Sequence, residues 1–134
     1  MMELFSKLKE MKILLIDDDE WIRDSMSLFF EGEGCHLLAL ETAEEGLEAL
    51  KRKIYDIIIV DYRLPGMDGL KFLKLIQGFN PNAKKILITA YGSEEVFSEA
   101  KRMGILAFIE KPFTSEDIQS SLSKLIEHRE NIGQ

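Results

Sequence analysis

The sequence predicts an open, doubly wound α/β fold: a five-stranded parallel sheet in the order 2-1-3-4-5, with helices on both faces. Three observations carry that expectation. From residue 11 onward five short apolar runs alternate with segments of helical periodicity, one of those runs is apolar enough to be covered on both faces, and the connections between them are short. Parallel neighbours need a crossover, and right-handed crossovers lay helices against both faces of the sheet. At 134 residues the chain holds one domain, because a domain of normal size takes about 100 to 200 residues. With 46% hydrophobic and 31% charged residues it has the balance of an ordinary globular protein.

Residues 1–10 read as an N-terminal extension, either a short amphipathic helix or a frayed tail. Lys7, Lys9 and Glu10 interrupt Leu4, Phe5 and Leu8, so this is no signal-peptide core. The domain proper spans 11–130, and 131–134 read as a C-terminal tail. Residues 11–16 (MKILLI) form a buried strand that stops at three consecutive aspartates. Ile22, Met26, Phe29 and Phe30 then fall at i, i+4, i+7 and i+8, one face of a helix closed by Gly32 and Gly34. Residues 36–40 are a weaker strand. Thr42 with Glu45 three positions on gives a capping box for a helix with Ala43, Leu47 and Leu50 inward.

The third unit is the clearest. Ile57, Ile58, Ile59 and Val60 are four β-branched residues in a row, the mark of a strand covered on both faces, within a run that starts at Tyr55 and ends in Asp61. Pro65-Gly66 turns the chain, and residues 68–79 supply a helix stopped by Gly78 and Asn80-Pro81. Residues 85–89 and 106–110 are the fourth and fifth strands. A helix over 93–103 turns Val96, Ala100 and Met103 inward, and a last helix presents Ile118, Leu122, Leu125 and Ile126.

Charge and cysteine content exclude several function classes. Seventeen basic residues against twenty-four acidic ones leave −7, so the broad cationic footprint of direct nucleic-acid binding is absent. Cys35 stands alone and cannot form an internal disulfide, and no run is long enough to span a membrane. The expected location is cytoplasmic.

Ligands of such sheets bind outside the carboxyl ends of the strands, where the strand order reverses. Those ends carry Asp17, Asp18 and Asp19 after strand 1, Asp61 after strand 3, Thr89 after strand 4 and Lys111 after strand 5. Three carboxylates within about 4 to 5 Å repel by a few kcal/mol per pair at an effective dielectric near 20. One ammonium does not compensate them, and an oxygen-only site suits a hard ion such as Mg2+. A carboxylate beside Mg2+, a lysine and a hydroxyl is a constellation for phosphoryl transfer, with Asp61 on the central strand as the nucleophile. Taken singly each residue has a plainer role: Asp19 as a helix N-cap, Thr89 as a turn residue, Lys111 as a solvated charge. Their joint placement on four strand ends favours the site. His36, His128 and Cys35 lie outside it and read as structural or surface residues.

Residues 13–20 (ILLIDDDE), 56–70 (DIIIVDYRLPGMDGL), 88–91 (ITAY) and 108–113 (FIEKPF) together resemble the receiver domain of bacterial two-component response regulators, over residues 11 to 127. The resemblance implies the flavodoxin-like (βα)5 three-layer sandwich. It implies Asp61 as phosphoacceptor for a sensor histidine kinase or a histidine phosphotransfer protein. Mg2+ is then held by Asp18 and Asp61 directly, by Asp17 mainly through water, and by the backbone carbonyl of Arg63. Thr89 is implied as the switch hydroxyl, Lys111 as the lysine that pairs with the phosphoryl group, and Phe108 as the switch aromatic. Ala90 leaves access to the phosphoryl group, and Lys111-Pro112 matches a cis peptide. The implied protein is a phosphoacceptor, not a turnover enzyme, with slow autophosphorylation and autodephosphorylation. Its output face is the last helix-strand-helix, residues 93–125, for a downstream protein partner or effector domain. It contacts neither nucleic acid nor membrane, and is a monomer, or a dimer on phosphorylation.

Arg63 and Tyr91 stand at positions that tune dephosphorylation in that family, and Ile105-Leu106-Ala107 is bulkier than its usual run. No effector domain follows in the sequence, which fits either a stand-alone receiver or one domain of a longer regulator. Two alternatives remain: a haloacid-dehalogenase-like phosphohydrolase with Asp17-x-Asp19 as its motif, and a receiver-like interaction module that is never phosphorylated.

Overall fold

Five parallel strands, β1 (Lys12–Ile16), β2 (His36–Leu40), β3 (Ile57–Asp61), β4 (Lys84–Ala90) and β5 (Ala107–Lys111), lie in the order β2-β1-β3-β4-β5 in the computed structural model, as the sequence predicts. The described residues are 2–90, 94–105 and 107–132. Side chains alternate along a strand, so each strand feeds two cores. Ile13, Leu15, Ile57, Ile59, Ile86, Ile88 and Ile109 face helices α1 (Met2–Leu8), α2 (Glu20–Gly32) and α6 (Ser115–Ile132). Leu14, Ile16, Ile58, Val60 and Leu87 face α3 (Ala43–Arg52), α4 (Gly69–Ile76) and α5 (Glu94–Arg102). All five residues of β3 are buried, as befits the central strand.

The helices start where the sequence places caps. Asp19 accepts from the N–H groups of Trp21 and Ile22 at the start of α2, and Thr42 with Glu45 completes the capping box of α3. A Cβ on Gly46 would collide with Ile16 and Phe72, so this glycine lets α3 press onto the sheet.

Residues 1–10 resolve to the first of the two expected alternatives. α1 buries Leu4, Phe5 and Leu8, and the Phe5 ring meets Phe29 edge-on at 5.9 Å. Of residues 131–134, expected as a C-terminal tail, the first two continue α6 to Ile132, and residues 133 and 134 lie outside the described set. Boundaries shift elsewhere. β3 starts at Ile57 instead of Tyr55, because Asp56 turns its backbone and carboxylate to Lys12 at the sheet's lower rim. α4 stops at Ile76, where the Asn80 N–H takes the Ile76 carbonyl at 3.0 Å and reverses the chain. Ser93 and Leu106, expected at the starts of a helix and a strand, are outside the described residues.

Candidate functional site

Register brings the strand-end groups level. Ile16 pairs with Val60, which puts Asp17 beside Asp61, and Asp61 pairs with Ile88. By strand alternation Asp61 has the parity of Ile59, and Lys111 that of Ile109, one face of the sheet; Thr89 has the parity of Leu87, the other.

The structure gathers Asp17, Asp18 and Asp61 so that one carboxylate oxygen from each lies within 4.8 Å of the others. Asp17 is wholly buried and Asp61 is 4% exposed, while Asp18 is exposed. Lys111 reaches across the crevice, its Nζ donating to Asp61 Oδ2 at 2.9 Å and lying 3.4 Å from Asp17 Oδ2. Asp17 Oδ1 accepts the Asp19 N–H at 2.9 Å, whereas buried Asp17 Oδ2 has no well-formed hydrogen bond and is held by its ion pair with Lys111. Asp61 Oδ1 accepts the N–H of Arg63 at 3.3 Å.

These surroundings set the acidities. Burial pushes the Asp17 carboxyl up to about 6, helped by the charge on Asp61 and opposed by the Asp19 N–H and by Lys111. Burial acts against the Lys111 charge too, but the hydrogen bond to Asp61 and the charge of Asp17 outweigh it and hold the ammonium above its ordinary value.

Two residues that the sequence did not single out position the crevice. A Cβ on Gly69 would stand 2.5 Å from the Asp61 carbonyl oxygen; only glycine lets α4 start so close, and its N–H holds the Tyr62 carbonyl at 2.7 Å. Arg23 reaches from α2 to donate to the Asp17 carbonyl at 3.0 Å. Gly69 stood inside a recognisable run, DGL; nothing in the sequence marked Arg23. Asp19 spends its carboxylate on capping α2, so the Asp17-x-Asp19 reading loses its second acid.

Thr89 is wholly buried, and among the described residues its hydroxyl has no hydrogen-bond partner. Phe108 is half-buried, edge-on to Phe97 with ring centroids 5.1 Å apart at 71°, and its carbonyl accepts from Ser121 Oγ at 3.2 Å. The Lys111-Pro112 peptide is cis. Tyr91 lies outside the described residues.

A wholly buried carboxylate oxygen without a well-formed hydrogen bond, beside two further carboxylates and with one lysine to offset all three, belongs to a donor set that fits a hard divalent cation. An open 2-1-3-4-5 sheet with such a crevice at its carboxyl ends defines the class: a doubly wound α/β domain with an acidic cluster at its topological switch point. Residues 13–123 match the family profile of the response regulator receiver domain, and the chain belongs to that family. It is a receiver domain of two-component signalling, consistent with a phosphorylation-dependent switch. It is 30% identical to sporulation initiation phosphotransferase F of Bacillus subtilis, over 90% of this chain and 97% of that protein. It is also 30% identical to the transcriptional regulatory protein ZraR of Escherichia coli, but spans only 27% of that protein's length. Among solved structures, a CheY-like receiver domain protein of Methanospirillum hungatei superposes with a TM-score of 0.82 at 32% identity, covering 90% of this chain and 98% of that one. No helix among the described residues is long and apolar enough to cross a membrane.

Proposed function

We propose that Asp61 accepts a phosphoryl group from a phosphohistidine donor in the presence of Mg2+, and that Thr89, Lys111 and Phe108 convert this event into a change on the face made by α5, β5 and α6. The observation that carries the reading is the Asp61 carboxylate itself. It stands at the tip of the central strand, hydrogen-bonded to Lys111 at 2.9 Å and within 4.8 Å of two further carboxylates.

The carboxylates of Asp17, Asp18 and Asp61, with the Arg63 carbonyl, are the groups that would hold Mg2+. When bound, the ion supplies positive charge that offsets the phosphoryl oxygens. In the transfer an Asp61 oxygen forms a bond to phosphorus as the P–N bond to the donor's imidazole breaks. The electron pair leaves on the imidazole nitrogen, which takes its proton from water. Lys111, already on Asp61, stays beside the new anionic oxygens and stabilises them.

The Thr89 hydroxyl supplies the switching energy. Leaving a buried hydroxyl unpaired costs about 1–3 kcal/mol. A phosphoryl oxygen gives it an acceptor, and relief of that cost shifts a two-state equilibrium by about 5- to 150-fold. Phe108 lies next to Leu87 and Val96 in the same core and against Phe97 on α5, so a movement of Thr89 on the neighbouring strand alters what the ring packs on. The set is complete, which favours a phosphorylated receiver over a silent interaction module.

The donor is a sensor histidine kinase or a histidine phosphotransfer protein. The relative named as a phosphotransferase, matched along nearly its whole length, supports a place in a phosphorelay. The domain works in the cytoplasm, with slow autophosphorylation and autodephosphorylation in place of catalytic turnover. Incubation with a small acyl phosphate and Mg2+ tests the reading. Wild type acquires an acid-labile label and Asp61→Asn none; equal labelling of both proteins would contradict it.

A further inference from the structure

At the amino end of the sheet, opposite the acidic crevice, a recess of about 780 Å3 opens between the C-terminus of α3 and the turn from α4 to β4. Lys12, Lys51, Arg52 and Lys53 line it with no acid among the lining residues. Two large apolar side chains stand there in solvent: Ile54 is 74% and Phe79 49% exposed. In a chain of net charge −7 this is a local reversal of sign. Lys51 and Arg52 sit in the last turn of α3, where cations complement the helix dipole. That explains neither Lys53 and Lys12 nor the two exposed apolar residues. The Lys51 to Glu48 pair, 3.4 Å apart and exposed on both sides, is worth too little to neutralise the rim.

We propose that this recess docks an acidic segment of a partner protein, in which an aliphatic or aromatic side chain lies on Ile54 and Phe79 and flanking carboxylates meet the four cations. Charge complementarity selects the sign of the partner. Ile54 and Phe79 standing among the four cations select a segment that carries apolar and acidic side chains together. The net charge of −7 repels the dense charge of a nucleic acid or an anionic membrane more than a short acidic segment. The recess lies at the other end of the sheet from Asp61, so docking is compatible with phosphorylation and independent of it.

The test is fluorescence polarisation with a labelled peptide of glutamate and leucine, against the same peptide with glutamine in place of glutamate. Wild type binds the acidic peptide, and added salt weakens the complex. Arg52→Glu with Lys53→Glu weakens binding about tenfold or more, whereas Lys101→Glu with Arg102→Glu, the same charge change on α5, weakens it less than about twofold. Ile54→Ser, a surface change that leaves the fold in place, weakens it too, and Asp61→Asn binds as wild type. Equal losses in the two double variants would overturn the proposal, because overall charge would then be the cause. Equal affinity for the glutamine peptide, no binding by wild type, or tighter binding to phosphatidylserine vesicles than to the peptide would overturn it as well.

Discussion

The two ends of the sheet treat buried polar groups in opposite ways. At the carboxyl end Asp17, Asp61 and Thr89 are buried, and one carboxylate oxygen and one hydroxyl among them have no hydrogen-bond partner in the described structure. At the amino end the buried polar residue is Asn80, and its amide donates to the Tyr55 carbonyl at 3.4 Å. There α1 adds Leu4, Phe5 and Leu8 to the core, and the cations stay in solvent. Unsatisfied buried groups are costly and rare. Their concentration at one end is the cost expected of the proposed phosphoryl site, while the other end supplies stability.

Substitutions can break this contrast. The largest expected effect is loss of the acid-labile label in Asp61→Asn with a fold that melts no lower than wild type, read by labelling and thermal denaturation on the same samples. Next, Phe5→Ala at the amino end costs about 3 kcal/mol, the usual cost of emptying a buried aromatic site, yet leaves the labelling rate per folded molecule unchanged. If labelling collapsed in proportion, the two ends would not be separable.

Asp17 gives an effect of similar size and opposite sign. Its folded value of about 6 stands above its ordinary 3.8, so between those values the native state binds more protons than the unfolded chain. Stability in chelator therefore falls as pH rises through the range from 3.8 to about 6, by on the order of 3 kcal/mol in all. Asp17→Asn removes that slope and raises cation-free stability at neutral pH, while weakening Mg2+ binding; urea titrations across pH with and without Mg2+ check both. Smaller than either, Thr89→Ala removes an unpaired hydroxyl and a buried methyl together, two effects of opposite sign that leave a net change in stability of less than about 1 kcal/mol. It still labels, but its amide spectrum on α5 and β5 responds less to phosphorylation. The smallest effect is at Trp21, 73% exposed but two residues from the acid that caps its helix. Millimolar Mg2+ changes its fluorescence slightly, and an unchanged spectrum would contradict cation binding beside α2.

The sheet was legible because four of its five apolar runs lead into polar groups at their carboxyl ends. The β-branched residues 57–60 identify the centre, and Asp17, Asp61, Thr89 and Lys111 stop the strands on one rim. α1 was only half legible: a seven-residue helix is marginal by itself, and its contact with Phe29 decides the matter. Which residues converge at the crevice could be read from strand order. What could not be read depends on three dimensions: Arg23 holding the Asp17 carbonyl, α4 pressed on Asp61 through Gly69, and the parity that puts Thr89 on the face opposite Asp61.

On the proposed function Asp61, and no other group of the acidic crevice, carries the phosphoryl group. Borohydride reduces an acyl phosphate to the alcohol, so wild type treated with a small acyl phosphate and Mg2+, reduced and digested, reports the acceptor by peptide mass. Homoserine at position 61 is the predicted result; reduction at Asp17 or Asp18, or at no aspartate while the label persists, would contradict it.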